Sequence, residues 1–216
     1  MTARTRIVVM AKAPVAGYAK TRLIPALGAD GAAALAERLL AQAIDHALAA
    51  GLGRAAGVVE LCAAPDLDHP AIARWAAHPV VTLTAQGGGD LGARMARAFE
   101  RGLPTHDHVL MTGTDAPALD AAVLRQAAAA LADHDAVFVP AHDGGYALIG
   151  LRQPVPELFD DMPWSTPAVM AITRERLRRL GLRHAELAPL HDIDEPADLV
   201  HLPPGWLPRG AFAADA

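Results

Sequence analysis

Apolar runs alternate with segments of helical periodicity along most of the chain. The runs are rich in valine, isoleucine and leucine, which is typical of strands buried on both faces of a sheet. Strands are predicted at 6–10, 55–62, 79–84, 108–112, 136–140, 147–151 and 183–187. Helices, in which leucine and alanine recur at helical spacing, are predicted at 32–50, 66–77, 90–101, 119–131 and 164–180, with a short helix after 195.

This alternation predicts an α/β fold with a three-layer α/β/α arrangement and a mostly parallel sheet of about six or seven strands. A chain of 216 residues is most simply one domain. We expect that domain to span 1–202, because 203–216 has no apolar period and is predicted to be a loose C-terminal tail.

The segment 109–119 carries the most informative local pattern, an apolar run that breaks at Gly113 and ends in Asp115-Ala-Pro117. Because the proline cannot continue a strand, Asp115 is expected just beyond the carboxyl end of a central strand. Ligands bind at that edge of open α/β sheets, and a carboxylate there is suited to Mg²⁺ or Mn²⁺ carrying phosphates. From this segment alone, capping of the following helix is an equally good interpretation.

The loop after the first strand, 12–22, contains Lys12, Lys20 and Arg22 together with Gly17. Backbone N–H groups near a glycine can approach a polyphosphate closely, and lysines neutralise its charge. The Gly-Lys-Ser/Thr ending of a P-loop is absent. Considered alone, the segment is more often a solvated basic loop.

Three further loops follow predicted strands. Three consecutive glycines in 86–94 suggest close approach of a ligand to the backbone, although Asp90 there is also a natural helix cap. The loop 143–146 joins Asp143 to two glycines, and 191–194 holds two aspartates. Because strand ends of a parallel sheet meet at one edge, these loops together predict a site for a metal-bound nucleoside diphosphate or triphosphate. The candidate donor-binding residues are Lys12, Gly17, Lys20, Arg22, Gln86, Gly88, Asp90, Thr114, Gly144, Gly145 and Trp164.

The composition limits the classes of partner that the protein is expected to bind. The formal charge is −5 and aromatic residues make up only 4%, so neither a basic face nor a stacking platform for nucleic acid is indicated. The single cysteine, Cys62, excludes an intrachain disulfide, and the histidines lack zinc-ligand spacing. The first apolar run is too short for a signal segment or a membrane span, so we expect a cytoplasmic protein without a membrane partner.

Several segments in order along 5–200 resemble the bacterial glycosyltransferase-A-like transferases. They are Val8 to Leu23, Gly113-Thr-Asp-Ala-Pro, Asp143-Gly-Gly-Tyr-Ala-Leu-Ile-Gly-Leu, Trp164-Ser-Thr and Asp192-Ile-Asp-Glu-Pro-Ala-Asp-Leu. That family includes a group associated with arsenosugar biosynthesis and with radical-SAM or selenium-domain partners. The resemblance implies the nucleotide-diphospho-sugar transferase (GT-A-like) fold, which molybdenum-cofactor guanylyltransferases share.

The resemblance also implies a metal site. In that superfamily a strand-end aspartate binds the catalytic divalent ion, and Asp115 stands at its position. The first aspartate of Asp-Thr-Pro-Glu-Asp-Leu in sugar cytidylyltransferases is the second ligand, and the similar Asp194-Glu-Pro-Ala-Asp-Leu indicates Asp194. Asp192 remains an alternative, since the two would lie on opposite faces of an extended segment.

One departure bears on the reaction. Nucleotidyltransferases usually carry Arg-x-Gly-x-x-Lys in the first loop, and here Gly17-Tyr-Ala-Lys20 is kept but Val15 stands in place of the arginine. This favours a Mg²⁺- or Mn²⁺-dependent glycosyltransferase that uses a nucleotide sugar and a small-molecule acceptor. A nucleotidyltransferase that releases pyrophosphate from a nucleoside triphosphate, and a non-catalytic nucleotide-binding module, are the alternatives.

The expected catalytic residues are Asp115, Asp143 and Lys20, with Asp115 and Asp194 as metal ligands. Asp143 is a candidate base or acceptor contact, although a turn-forming aspartate is nearly as common. Tyr146 and Trp164 are candidates for stacking on a base or sugar, with core packing as the commoner alternative. Ser165 or Thr166 is expected to cap the helix that begins near 164.

Overall fold

The computed structural model describes residues 3–52 and 58–206, and within these ranges seven strands form one sheet. The strand order is β3-β2-β1-β4-β6-β5-β7. All neighbouring pairs are parallel except those of β6, which is antiparallel to β4 and β5. The strands are β1 (Thr5–Lys12), β2 (Val59–Ala64), β3 (Val81–Ala85), β4 (His108–Thr112), β5 (Ala136–Pro140), β6 (Tyr146–Leu151) and β7 (His184–Glu186).

Within the described ranges, five α-helices cover the two faces of this sheet. They are α1 (Ile24–Ala50), α2 (Pro70–Ala73), α3 (Leu91–Gly102), α4 (Ala121–Ala130) and α5 (Val169–Arg179), and 3-10 turns lie at Thr21–Leu23, Arg74–Ala77, Pro156–Leu158 and Pro196–His201. No helix within the described ranges is long and apolar enough to cross a membrane.

The alternation of side chains along β1 divides the core into two layers. Ile7 and Val9 pack in a cluster that includes Ile44 of α1 and Leu124 of α4. Val8 points to the other face, into a cluster with residues of α3 and α5. The predicted three-layer α/β/α fold with a mostly parallel sheet is therefore confirmed.

The bounds of β4 and β5 match the prediction. The elements that differ include α1 and the helix predicted at 66–77. Helix α1 begins at Ile24 rather than at 32, and Gly28 adopts a non-helical φ of 71° inside it. The predicted helix at 66–77 is only one α-turn followed by a 3-10 turn. The predicted start of the second strand, 55–57, lies outside the described residues.

Helix α5 begins at Val169, and the prediction that Ser165 or Thr166 caps a helix from 164 is wrong. Its N-cap is Ala168, which makes no side-chain cap. Ser165 has a left-handed backbone with a φ of 62°, and Thr166 donates instead to the Pro163 carbonyl. Pro167 of this segment instead packs against Gly144 in the turn between β5 and β6.

The described part of the predicted tail, 203–206, packs on the fold. Trp206 packs against the cluster beneath the first turns of α1, and the Arg38 guanidinium lies 4.2 Å from the centre of its ring. Residues 207–216 lie outside the described residues.

Candidate active site

The carboxyl ends of β1, β4 and β5 open into one cleft, and the chain after β7 completes it. Leu190 forms a parallel bridge with Ala141 just beyond β5. Three residues later the Ile193 N–H donates to the Asp115 carbonyl over 2.8 Å. This backbone bond places Asp194 beside Asp115, although the two lie far apart in the sequence.

Lys20 joins these two aspartates. Its Nζ lies 2.6 Å from Asp115 Oδ1 and 2.9 Å from Asp194 Oδ1, and it also donates to the Ile193 carbonyl over 2.6 Å. The Lys20 side chain is only 8% exposed. Burial opposes its charge, but the two carboxylates outweigh that effect and raise the pKa of Lys20 above its ordinary value.

The contacts with Lys20 set the separation of the two carboxylates. Both Oδ1 atoms touch one ammonium, so they are no farther apart than the sum of two short contacts. Two oxygens bound to one Mg²⁺ lie at most ~4.2 Å apart, so small side-chain movements would bring this pair onto one ion. Across 3–52 and 58–206, no group of three or more histidine, cysteine, aspartate or glutamate side chains forms a ready-made metal site. A divalent ion held by Asp115 and Asp194 would therefore take its remaining ligands from water or from substrate oxygens.

Asp192 lies beside this pair with one carboxylate oxygen buried. Its Oδ1 has no hydrogen-bond partner among the described residues. Burial, followed by the neighbouring carboxylates of Asp143, Asp115 and Asp194, raises the pKa of Asp192 to about 7. The cleft thus contains four carboxyl groups, and Lys20 accounts for only two of them.

The cleft has two lobes that meet at Asp115 and Asp143. The basic lobe, about 480 Å³, receives Lys20 and Arg22 from the first loop and Thr114 and Pro167 from its opposite wall. The apolar lobe, about 420 Å³, receives Leu91, Met95, Met111, Ile149, Trp164 and Val169. Lys12, Ser165 and Thr166 line both lobes.

The cations of the first loop are concentrated at the basic lobe. Lys12 and Lys20 are the only lysines in the whole sequence, and both line this lobe. Arg22 is 66% exposed and makes only a long 3.7 Å contact with Glu195. Tyr18, 82% exposed, also lines the lobe and was not among the predicted residues. Its place between Gly17 and Lys20 was the only sequence signal.

The turn between β5 and β6 presents Asp143 to both lobes. Asp143 Oδ1 accepts a hydrogen bond from the Gly145 N–H over 2.8 Å, so it has the turn-forming role as well. Gly145 lines the apolar lobe. Gly144, with a φ of 92°, is packed against Pro167, and its carbonyl accepts from the Met170 N–H over 2.8 Å. The structure therefore accounts for Gly144 without a bound ligand.

In the glycine-rich loop 86–94, Leu91 lines the apolar lobe, whereas Gln86, Gly88 and Asp90 line neither lobe. Gln86 is buried, and its amide donates to the carbonyls of Ala11 and Cys62. The Gly88 carbonyl accepts from Arg97, and Asp90 caps α3 by accepting from the Ala93 N–H. Gln86 thus attaches this loop to the sheet, and Gly88 and Asp90 attach it to α3, so the proposed donor site does not include them.

Two aromatic candidates line the apolar lobe. Trp164 packs so closely on Gly92 that a Cβ at residue 92 would lie 2.9 Å from its Nε1. Tyr146 contacts Phe138 edge-on, and burial raises the pKa of its hydroxyl. Both side chains thus combine core packing with a place at the cleft.

The fold is that of the nucleotide-diphospho-sugar transferases, the GT-A-like class. The chain belongs to the family described as "Uncharacterized protein conserved in bacteria (DUF2064)", whose model matches residues 47–166. No curated protein matches it in sequence.

Solved structures support the fold. A protein from Desulfovibrio desulfuricans G20, provisionally classed as a nucleotide-diphospho-sugar transferase, is similar with a TM-score of 0.81 and 27% identity, over 98% of this chain and 93% of that chain. The 4-diphosphocytidyl-2C-methyl-D-erythritol synthase of Anaerococcus prevotii DSM 20548 has a TM-score of 0.59 and 9% identity, over 91% and 96%. Glucosyl-3-phosphoglycerate synthase of Mycobacterium tuberculosis, in complex with Mn²⁺, UDP and glucosyl-3-phosphoglycerate, has a TM-score of 0.56 and 12% identity, over 92% and 75%.

Proposed function

We propose that residues 1–202 form one enzyme domain that transfers a glycosyl group from a nucleotide sugar to a small-molecule acceptor, with a divalent metal ion. The observation that carries this proposal is the contact of Lys20 Nζ with both Asp115 and Asp194 at the wall of the basic lobe. A buried cation between two carboxylates, beside further cations, is suited to a ligand that brings phosphates and a metal ion together.

Asp115 and Asp194 would hold the ion. Their carboxylate oxygens are the hard ligands that Mg²⁺ and Mn²⁺ prefer, and the orphaned Asp192 Oδ1 lies close by as a further oxygen. When bound, the ion would neutralise charge that develops on the departing diphosphate. The glucosyl-3-phosphoglycerate synthase complex, which contains Mn²⁺ and UDP, supports the choice of Mn²⁺ as the first ion to test.

Side chains of this protein would bind the donor phosphates and accept the proton of the acceptor. Lys12 and Arg22 would bind donor phosphate oxygens in the basic lobe. The acceptor hydroxyl oxygen forms a bond to the anomeric carbon while the bond from that carbon to the diphosphate oxygen breaks, and the diphosphate keeps the electron pair. Asp143, which lines both lobes, would take the hydroxyl proton. Among the described residues only its Oδ1 is hydrogen-bonded, which leaves Oδ2 for this role.

The first loop favours glycosyl transfer over nucleotidyl transfer. Val15 is 38% exposed where nucleotidyltransferases of similar sequence carry an arginine, so this loop offers no guanidinium at that position to a triphosphate. The retained Gly17-Tyr-Ala-Lys20 nevertheless keeps a nucleotidyltransferase as the second candidate. The products separate the two reactions, because the first releases a nucleoside diphosphate and the second releases pyrophosphate.

The decisive experiment incubates the protein with a panel of nucleotide sugars and nucleoside triphosphates, with Mn²⁺ or with EDTA, and measures nucleoside diphosphate and pyrophosphate separately. Binding is followed in parallel by thermal shift. We expect Mn²⁺-dependent diphosphate release that Asp115→Asn abolishes and that Asp133→Asn, an exposed aspartate after α4, leaves unchanged. Pyrophosphate release without glycosyl transfer would establish the second candidate, and nucleotide binding without turnover would favour a binding module.

A further inference from the structure

The apolar lobe differs chemically from the basic lobe. Lys20 and Arg22 line only the basic lobe. The apolar lobe has a separate wall of aliphatic and thioether side chains that come from four different elements. They are Leu91 and Met95 of α3, Met111 of β4, Ile149 of β6 and Val169 of α5.

Trp164 closes this wall against α3. Gly92 has no side chain, and a Cβ there would lie 2.6 Å from the Phe159 carbonyl and 2.9 Å from the Trp164 Nε1. The indole therefore packs directly on the helix backbone, in close contact. A wall of this kind favours the apolar body of a ligand, since burying apolar surface is the main source of affinity in small-molecule pockets.

The charged groups of the apolar lobe are mostly acidic. Asp115, Asp143, Asp192 and Asp194 line it, and Lys12 is its only cation among the described residues. The nearest arginines on the surrounding elements are engaged elsewhere. Arg94 and Arg97 bind carbonyls of the loop 86–89, and Arg176 binds the carbonyls of Glu157 and Asp160.

Asp192 adds a directional requirement. Asp143 and Asp192 both line this end of the lobe, and the oxygens of ionised carboxylates accept hydrogen bonds but donate none. A ligand that fills this lobe should therefore bring a hydroxyl or ammonium donor to the acidic end and an apolar body to the other.

We propose that the apolar lobe is the acceptor site, and that it takes an alcohol with an aromatic or branched aliphatic body and no negative charge. This inference rests on the proposed function for the direction of transfer, but the binding preference itself follows from the lobe. A phosphate or carboxylate on the acceptor would be brought close to Asp143 and Asp192, which Lys20 does not contact, with one exposed lysine in the lobe to offset them. The wall and the charge together thus disfavour phosphorylated acceptors.

Three small alcohols that differ only in charge test the inference. They are 4-methylbenzyl alcohol, 4-(aminomethyl)benzyl alcohol and 4-(hydroxymethyl)benzoate, used at about 10 mM because fragments of this size bind weakly. Binding is read from the ¹³C-methyl NMR signals of Met95 and Met111, which line the lobe, with buried Met162 as the internal reference. We expect the neutral and cationic alcohols to shift the Met95 and Met111 signals and the benzoate to bind at least tenfold more weakly. Equal or tighter binding of the benzoate, or no shift from any of the three, overturns the inference.

A charge inserted at the rim gives a matched test. Leu91 is 44% exposed at the start of α3, so Leu91→Arg can be accommodated without opening the core. It should change the ratio of benzoate to amine affinity roughly tenfold in favour of the benzoate. Leu180→Arg, at a residue 36% exposed beyond the end of α5, should leave the ratio unchanged. An equal effect of the two substitutions would mean that the lobe does not select by charge.

The failure of this inference can be separated from the failure of the proposed function. Nucleotide-sugar binding with Mn²⁺ is measured by thermal shift on the same samples. Donor binding without methyl shifts would overturn the acceptor site and leave the transferase intact. Methyl shifts with the expected charge order, but without any donor binding or turnover, would leave the lobe as a binding site and remove the proposed transferase.

Discussion

Gly144 and Pro167 lie in direct backbone contact. A Cβ at residue 144 would lie 2.6 Å from the Pro167 Cα and closer still to its carbonyl oxygen. This contact locks the turn that carries Asp143 to the segment that carries Ser165 and Thr166, which lines both lobes of the cleft. The left-handed backbone of Gly144, with a φ of 92°, is what allows the approach.

We therefore predict that Gly144→Ala destabilises the fold by about 2–5 kcal/mol, the combined cost of a left-handed alanine and of overpacking. Gly181→Ala is the matched control, because Gly181 has a φ of 67° but open space around it. It should cost only ~1–2 kcal/mol. Urea denaturation of both variants measures the difference, and equal losses would show that the contact with Pro167 is unimportant.

The buried carboxylate of Glu60 gives a second stability prediction. Its side chain is fully buried, forms an ion pair with Arg6 Nη2 over 2.8 Å and accepts a hydrogen bond from Arg101 Nε over 2.9 Å. Glu60→Ala leaves the arginine charges uncompensated, and the Arg6 side chain is only 10% exposed, so we expect a loss of about 3–5 kcal/mol.

Glu37→Ala serves as its control. Glu37 pairs with Arg74 over 3.2 Å, but both side chains are nearly half exposed, so its loss should cost only ~0–1 kcal/mol. If the denaturation midpoints of the two variants are equal, burial does not explain the importance of the Glu60 network.

The sequence predicts the strands better than the helix starts. Both β4 and β5 have an apolar centre, and the runs end at Gly113 and Pro140, so the hydrophobic pattern and the turn residues indicate the same bounds. The start of α1 is not predicted correctly, because Gly28 interrupts the helical pattern. The first turn, which begins at Ile24, is therefore not recognised as part of the helix. Trp164-Ser-Thr-Pro167 has the composition of a helix start, but its conformation is set by packing on Gly144, which no local pattern reveals.

For the cleft also, the sequence predicts some features and leaves others to be seen only in the structure. The sequence predicts that Lys20, Asp115 and Asp194 are neighbours, because their loops follow strands that share an edge. That one ammonium bridges the two carboxylates depends on the Ile193 N–H bond to Asp115, which only the folded chain defines. The sequence pattern suggests that Gln86 and Gly88 contact a ligand. In the structure, Gln86 Oε1 accepts a hydrogen bond from Arg94 and the Gly88 carbonyl accepts one from Arg97, so both acceptors are already bonded.

His108 predicts how stability depends on pH. The side chain lies at the start of β4 and is 5% exposed, and burial, followed by the charge of Arg152, lowers its pKa below the usual value near 6.5. The unfolded chain therefore binds the proton more readily, and this contribution to stability is complete above about pH 6.5 and is lost as the pH falls towards the lowered pKa. We expect the free energy of unfolding of His108→Gln to fall less between about pH 7 and pH 5 than that of the parent. Equal slopes for the two proteins would assign the acid sensitivity to other groups.

The position of Lys20 makes the metal and the lysine competitors for the same two carboxylates. Because its ammonium touches Asp115 and Asp194 at once, Lys20→Met should remove the competing charge and tighten the binding of Mn²⁺ alone about tenfold, or ~1.4 kcal/mol. The same substitution removes a charge-assisted bond to the donor, so nucleotide-sugar binding should weaken by roughly ten- to a hundredfold.

Lys12→Met is the control, since Lys12 lines the same lobe but has no contact with either carboxylate among the described residues. It should weaken the binding of the nucleotide sugar without tightening the binding of Mn²⁺. Isothermal titration with Mn²⁺, and then with the nucleotide sugar, measures both effects. If Lys20→Met binds Mn²⁺ no more tightly than Lys12→Met does, the two carboxylates are not the metal ligands.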